Sequence, residues 1–129
     1  MYLATKKKAK VILEKLIVLK FDINVCDDFG RTCVSIAAIY GFYDIIRYLF
    51  ENRANINICD KSGNSPLHYA AKNKYIQIFQ FLMQNEADLE KHNNDGKTPL
   101  MLAKIQREYE IVQIFEKNND PSDSKCIIF

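Results

Sequence analysis

The sequence predicts an all-α solenoid, in which helix-turn-helix units stack side by side and project β-turn loops from one edge. Three observations support this fold class. Segments of the chain recur every 33 residues, each segment opens with signals that start a helix, and a second helix with apolar residues at helical spacing follows. Because one helix pair cannot bury its own apolar face, about three neighbouring units are needed for a continuous core.

Each unit begins with a tight turn and a helix start. The turn holds a glycine, which permits a positive φ angle, and the three glycines are Gly30, Gly63 and Gly96. Two residues later comes a hydroxyl side chain suited to cap a helix, and these side chains belong to Thr32, Ser65 and Thr98. Pro66 and Pro99 then occupy the first helical position, where a missing N–H costs nothing.

A second helix follows in each unit, after a turn at Gly41, Lys74 or Arg107. Its apolar residues form an adjacent pair that is followed by further apolar residues three or four positions later, which places them on one face of the helix. In chain order they are Ile45, Ile46, Leu49 and Phe50, then Ile78, Phe79, Leu82 and Met83, then Ile111, Val112 and Phe115. These residues form the predicted core.

The most specific pattern lies at residues 65–71, which read Ser-Pro-Leu-His-Tyr-Ala-Ala. It resembles the T-P-L-H-x-A-A signature of the ankyrin repeat family, and Thr98-Pro99-Leu100 and Glu86-Ala87-Asp88-Leu89 are further matches. The resemblance covers about residues 1–117 and implies five parts. They are a partial N-terminal repeat at 1–24, repeats at 25–57 and 58–90, a C-terminal capping repeat at 91–117, and a tail at 118–129.

Departures from the signature predict how the stack ends. The third full unit carries Met101 in place of the His and Lys104 in place of the second Ala. Small alanines let neighbouring helices approach closely, so a lysine there predicts that no further repeat stacks on this side. A terminal repeat needs a polar outer face, and the third unit is therefore expected to cap the stack with such a face.

The leading residues follow the same register. Ile12, Leu13 and Leu16 align with core residues of the second helices, and Met1 falls inside a first helix. The chain then begins within a repeat, without its turn or N-cap. Two interpretations stay open, a fragment or shortened product of a longer array and a genuine degenerate cap. The lysine run at 6–10 is expected where this unit turns from its first helix to its second.

Charge and cysteine content exclude several classes of function. Residues 1–20 hold six lysines and one glutamate, whereas the remainder holds twelve Lys/Arg and fifteen Asp/Glu. A nucleic-acid binder usually has a basic face across its domain, so nucleic acid is disfavoured and the lysine cluster is interpreted as a solvated patch. The four cysteines form no C-x-x-C pair, and two scattered histidines complete no metal site. No metal, cofactor, small-molecule substrate or catalytic constellation is expected.

The resemblance implies a non-enzymatic, monomeric module that binds another protein through its loop tips and the exposed side of its inner helices, as an adaptor or an inhibitor. Carried over to this sequence, those positions are Asp28, Phe29, Arg31, Ile39, Tyr40, Lys61, Ser62, Asn64, Lys72, Asn73, Asn94, Asp95, Lys97, Ile105 and Gln106. Phe29, Ile39 and Tyr40 beside Arg31 would form an interface hot spot. The alternative is that Phe29 folds back on its loop and Tyr40 covers the next repeat.

Two reactive residue types are interpreted as structural. The resemblance implies that His68 makes hydrogen bonds at the junction of loop and helix, and no Ser/Asp pair accompanies it as a triad. Cys33 lies at a first helical position, where a helix N-terminus could lower the pKa of its thiol. It is interpreted instead as a small buried residue.

The last four residues read Cys126-Ile127-Ile128-Phe129 and match the C-a-a-X pattern for prenylation, with Phe favouring geranylgeranyl. An apolar ending that docks on the repeats, or a stop created by truncation, are the alternatives. The sequence thus predicts a cytoplasmic protein that reaches membranes only if Cys126 is lipidated. A prenylated peripheral membrane adaptor and a truncated product of a longer array stand as alternative functions.

Overall fold

The computed structural model describes residues 2–19 and 22–119. These residues contain seven helices and no strand: α1 (Tyr2–Val18), α2 (Cys33–Tyr40), α3 (Tyr43–Glu51), α4 (Pro66–Lys72), α5 (Ile76–Gln84), α6 (Pro99–Ile105) and α7 (Tyr109–Asn119). Helices α2, α4 and α6 form an inner layer and α3, α5 and α7 an outer layer, each inner helix packing on the outer helix that follows it. Helix α1 packs against α2. The predicted all-α repeat solenoid is confirmed.

Each inner helix starts at the capping residue that the sequence predicts. The side-chain oxygens of Thr32, Ser65 and Thr98 accept hydrogen bonds from backbone N–H groups three residues later. Pro66 and Pro99 lie in the first turn of their helices. The first N–H groups of a helix have no hydrogen-bond partner within the helix, and a capping side chain supplies one. These caps therefore stabilise the inner helices, which are only seven or eight residues long.

The turns between inner and outer helices use the left-handed region of the backbone. Gly41, Lys74 and Arg107 have φ angles of 79°, 63° and 56°, and all three stand where the sequence predicts a turn. Glycine is also required by space at the first of them, because a Cβ atom on Gly41 would lie 2.8 Å from the Tyr75 ring. The chain therefore reverses direction at the same position in each full unit.

The outer helices contribute large side chains to the core. Ile46, Leu49, Phe79 and Leu82 are fully buried. On the outer side of this core, Phe81 of α5 meets the rings of Tyr43 and Phe50 edge-on, at centroid distances of 5.7 and 5.6 Å. Such edge-to-face pairs add to the free energy gained from burial, so neighbouring repeats are joined through both layers.

The leading segment differs from the prediction. The turn expected at the lysine run is absent, since α1 continues as one helix from Tyr2 to Val18. Lysine and alanine are strong helix formers, and Lys8, which stands in register with Gly41, has no positive φ angle. As a result, no separate inner helix folds back over Ile12. That side chain is 56% exposed, whereas Ile45, Ile78 and Ile111 at the same repeat position are buried.

The outer face of the third unit is also different from the expectation. Lys104 is exposed, as predicted, but Met101 is 44% exposed and Val112 and Phe115 are half-buried beside it. The face is therefore mixed, with apolar as well as polar side chains. The physical reason is that Val112 and Phe115 keep the apolar residue type of Phe79 and Leu82 at the same repeat positions, while no described element covers them.

Candidate protein-binding surface

The three turn loops are built in the same way, at residues 27–32, 60–65 and 93–98, and together form the loop edge. In each, a side-chain oxygen at the first position accepts hydrogen bonds from the N–H groups two and four residues later, at 2.9–3.0 Å. The three residues that accept these bonds are Asp27, Asp60 and Asn93. Side chains that bond their own backbone in this way fix the conformation of a turn.

The loops are also bonded to one another. The N–H of Lys61 donates to the carbonyl of Phe29 at 2.9 Å, and the N–H of Asn94 donates to the carbonyl of Ser62 at 3.0 Å. The Asn94 side-chain amide adds a bond to the carbonyl of Lys61 at 2.7 Å. The loop edge is therefore a continuous hydrogen-bonded row, which presents its side chains at fixed positions.

Phe29 lies at the first end of this row and is 64% exposed. The Arg31 guanidinium stands 4.9 Å from the centre of its ring, and Asp27 holds the same guanidinium in a salt bridge of 2.8 Å. Burial opposes ionisation of the Asp27 carboxyl, but hydrogen bonds from Arg31 and Phe29 and the Arg31 charge outweigh it and lower its pKa. The aromatic ring and the cation are thus positioned as one exposed pair.

The inner-helix positions lie at matching places in the three units, at or just after the C-terminal ends of α2, α4 and α6. Ile39 and Tyr40 are half-buried, and the Tyr40 ring stacks on the Phe42 ring at 5.7 Å within its own repeat. Lys72 and Ile105 are exposed on the next two inner helices. Tyr40 therefore makes a contact within its own repeat that the sequence did not predict, while part of its surface stays accessible.

The structure buries none of the predicted binding residues completely. Those exposed are Asp28, Phe29, Lys61, Ser62, Lys72, Asn94, Asp95, Ile105 and Gln106. Those half-buried are Arg31, Ile39, Tyr40, Asn64, Asn73 and Lys97. The loop members share the hydrogen-bonded row, and the helix members share the inner layer. Their role in binding stays a prediction.

A family model described as ankyrin repeats, in three copies, matches residues 1–93. The chain belongs to the ankyrin repeat family. No curated protein matches it. Ankyrin repeats are in general protein-interaction modules, and the family is generally non-enzymatic. Beyond the matched residues, α6 and α7 repeat the arrangement of the earlier units, including the Thr98 cap and the following proline.

One contact of this ankyrin surface could not be found from the sequence. The hydroxyl of Tyr69, on α4, donates a hydrogen bond to the Asp60 carboxylate at the start of the central loop. Burial, and then this hydrogen bond, raise the pKa of Tyr69 to about 12. The contact ties the central loop to its inner helix, and the corresponding positions of the other repeats hold Ile36 and Leu102.

His68 makes the contacts of a structural residue in the ankyrin fold. Its Nδ1 accepts the N–H of Ser65 at 3.0 Å, and its Nε2 lies 2.9 Å from the carbonyl of Lys97 in the next loop. The neutral tautomer with a proton on Nε2 satisfies both contacts. Burial lowers the pKa of this imidazole, which favours that neutral form.

The sequence predicts a buried structural role for Cys33 and a candidate lipidation site at Cys126, and the structure describes only the first of these residues. Cys33 is buried, and burial raises the pKa of its thiol, which agrees with a small core residue. Cys126 lies outside the described residues, and its lipidation stays a prediction.

Within residues 2–19 and 22–119, no group of three or more His, Cys, Asp or Glu could hold a metal ion, and no helix is long and apolar enough to cross a membrane.

Proposed function

We propose that this ankyrin stack binds another protein through the loop edge and the adjoining surface of its inner helices. It would act as an adaptor or as an inhibitor that covers a surface of its partner, without catalysis or a cofactor. The observation that carries the proposal is the Phe29–Arg31 pair, an exposed aromatic ring and a cation held on a hydrogen-bonded loop. Aromatic and arginine side chains are enriched among the residues that dominate binding energy.

Fixed geometry strengthens this proposal. An exposed side chain on a rigid loop loses little conformational entropy when it becomes an interface contact. Both Phe29 and Arg31 are anchored through Asp27, and the loop edge links Phe29 to Lys61 by a backbone hydrogen bond. The residues after position 20 carry more acidic than basic side chains, which favours a protein over a nucleic acid as the partner.

The test compares two exposed aromatic residues. Phe29 and Tyr109 are 64% and 67% exposed, and Tyr109 begins the outer helix α7, away from the loop edge. Partners captured by the wild-type chain would be identified by mass spectrometry, and their affinity for the wild type, Phe29→Ala and Tyr109→Ala would be measured by calorimetry. We expect Phe29→Ala to weaken binding about 30-fold, as for a hot-spot residue.

The control is expected to leave affinity within about twofold of the wild type, as for a residue outside the interface. Both variants should melt at the wild-type temperature, because both side chains are exposed. A partner whose affinity is unchanged by Phe29→Ala but weakened by Tyr109→Ala would place the interface on the outer layer and contradict the proposal.

A second candidate is lipid attachment at Cys126, which the Cys-Ile-Ile-Phe sequence favours. It would add a membrane contact to the binding module. Intact mass of the protein from eukaryotic cells tests it directly. The gain of a prenyl group with loss of three residues would support it, and an unmodified Cys126 would contradict it. The cytoplasmic location stays a prediction.

A further inference from the structure

Helix α1 exposes a row of aliphatic side chains. Val11, Ile12, Val18 and Leu19 are 46%, 56%, 76% and 66% exposed. Successive members of this row are one, six and one residues apart, which places all four on one side of a helix. The Leu19 N–H donates a hydrogen bond to the Lys15 carbonyl, so the helical backbone continues past Val18 to Leu19. Leu13, on the opposite side, is only 2% exposed. The row is therefore the outward face of α1, and Leu13 marks the side that is turned toward the repeats.

Lysines accompany these aliphatic residues. Lys8 and Lys15 lie on the same side of α1, three or four residues from Val11 and Ile12, and Lys7 lies next to it, whereas Lys10 lines the groove between α1 and α3; all four are exposed. Glu14 is the one acidic residue in the sequence of α1. None of the four lysines forms a salt bridge with another described residue. Together with Glu14 they give this part of the helix a net charge of +3.

We propose that this face of α1 binds the surface of an anionic lipid bilayer. The aliphatic row would enter the boundary between head groups and acyl chains, as the apolar face of an interfacial helix does. The lysine stems would lie along the apolar surface while their ammonium groups reach anionic head groups. This lipid contact of α1 would involve neither the loop edge nor any modification at Cys126.

The alternative partner of such a face is an acidic protein helix, and the groove beside it disfavours that choice. The groove, about 390 Å³ in volume, lies between α1 and α3 and is lined by Lys10, Glu14 and Val18 of α1 and by Asp44, Ile45 and Tyr48 of α3, so it holds two carboxylates and one ammonium group. An acidic helix seated there would bring its carboxylates close to Glu14 and Asp44, which repel them. A flat bilayer would touch the outward row, of which Val18 also lines the edge of the groove, without filling the groove.

The experiment uses the full 129-residue chain produced in bacteria, so that no prenyl group is attached. Its partition onto phosphatidylcholine vesicles, with and without phosphatidylserine, would be measured by flotation at several salt concentrations. We expect binding only to vesicles that contain phosphatidylserine, and a steep loss as salt rises, because salt screens charges at a surface.

Matched variants localise the binding to α1. Lys8→Gln with Lys15→Gln should reduce partition roughly 25-fold, at about fivefold for each lysine. The control, Lys74→Gln with Lys104→Gln, removes the same charge from exposed positions elsewhere and should change partition less than about twofold. Val18→Ser with Leu19→Ser should also weaken binding, whereas Met101→Ser, at an exposed apolar residue on α6, should not. Melting temperatures verify that each variant is folded.

Three outcomes would overturn the proposal. The chain could fail to bind phosphatidylserine vesicles, or the control pair of lysines could lower partition as much as Lys8 and Lys15. Binding of polyglutamate without binding of vesicles would assign the face to an acidic protein instead. If the α1 variants lose vesicle binding but keep the wild-type affinity for a protein partner, membrane binding by α1 and protein binding by the loop edge are two separate functions.

Discussion

The central repeat and the third repeat place the same positions in different surroundings. His68 and Met101 occupy one position of the inner helix, and Leu82 and Phe115 occupy one position of the outer helix. In the central repeat both side chains are fully buried, whereas Met101 is exposed and Phe115 half-buried. Burial at these positions is therefore set by the repeat that follows, and an apolar residue type alone does not produce it.

The turn loops of the two repeats show the same difference. A Cβ atom on Gly63 would lie 2.6 Å from the Asn94 side chain and 2.8 Å from its backbone nitrogen, whereas one on Gly96 would meet nothing within 4 Å. The two glycines have almost the same φ angle, 78° and 73°. They therefore separate the effect of a neighbouring loop from the effect of backbone conformation.

The largest expected difference comes from truncating the outer-helix position. Leu82→Ala leaves a cavity enclosed by the neighbouring repeat, so we expect the free energy of unfolding to fall by about 2–5 kcal/mol. Phe115→Ala removes a larger side chain, but one already half in contact with water, and should cost only about 1–2 kcal/mol. Urea unfolding followed by circular dichroism measures both. Equal losses would contradict the comparison, because Phe115 would then be as well covered as Leu82.

The two turn glycines give the next largest difference. Alanine at either position must adopt a left-handed conformation, which costs about 1–2 kcal/mol. At Gly63 the new Cβ atom must also displace Asn94, so Gly63→Ala is expected to cost about 3 kcal/mol and Gly96→Ala about 1 kcal/mol. Thermal unfolding of the two variants provides the measurement. If Gly96→Ala were the more damaging change, contact between the loops would not explain the requirement for glycine.

Much of the fold could be predicted because its signals are local. A hydroxyl residue before a proline starts an inner helix wherever it occurs, as at Ser65 and Thr98. Glycine marks the turn loops because few other residues adopt their positive φ angle. The register of 33 residues then carries the expected loop and inner-helix positions from one unit to the next, and most of the candidate binding surface could be located in this way.

The errors arise where tertiary contacts decide the local structure. Lys74 and Arg107 adopt positive φ angles because an outer helix packs back on its inner helix, and nothing in a lysine requires that conformation. Lys8 stands in the same register without those contacts and stays helical. The outward face of α1 could not be foreseen, since it depends on this missing turn. The Asp60–Tyr69 hydrogen bond joins the central loop to α4, and no motif in the sequence indicates that these two side chains meet.

The smallest expected effect concerns pH, and it also distinguishes the two repeats. Burial lowers the pKa of His68, whereas the third repeat has Met101 at this position. The unfolded chain binds a proton near pH 6.5, whereas folded His68 binds it only at a lower pH. Its contribution is therefore fully present above about pH 6.5 and is lost as pH falls below that value toward the folded pKa. The loss should approach 1.4 kcal/mol per pH unit at most, with a single proton involved.

His68→Gln separates this titration from the hydrogen bonds that His68 makes. Glutamine at the third position of a helix can still reach back to the N–H of the capping residue, here Ser65, but it cannot bind a proton in this range. The variant should be less stable than the wild type near pH 8, because the contact with Lys97 is weakened, and the two stabilities should converge from roughly pH 7.5 to 5.5. Urea unfolding at a series of pH values measures this convergence. Parallel curves would show that the acid sensitivity lies elsewhere and that His68 is not the residue that makes the central repeat dependent on pH.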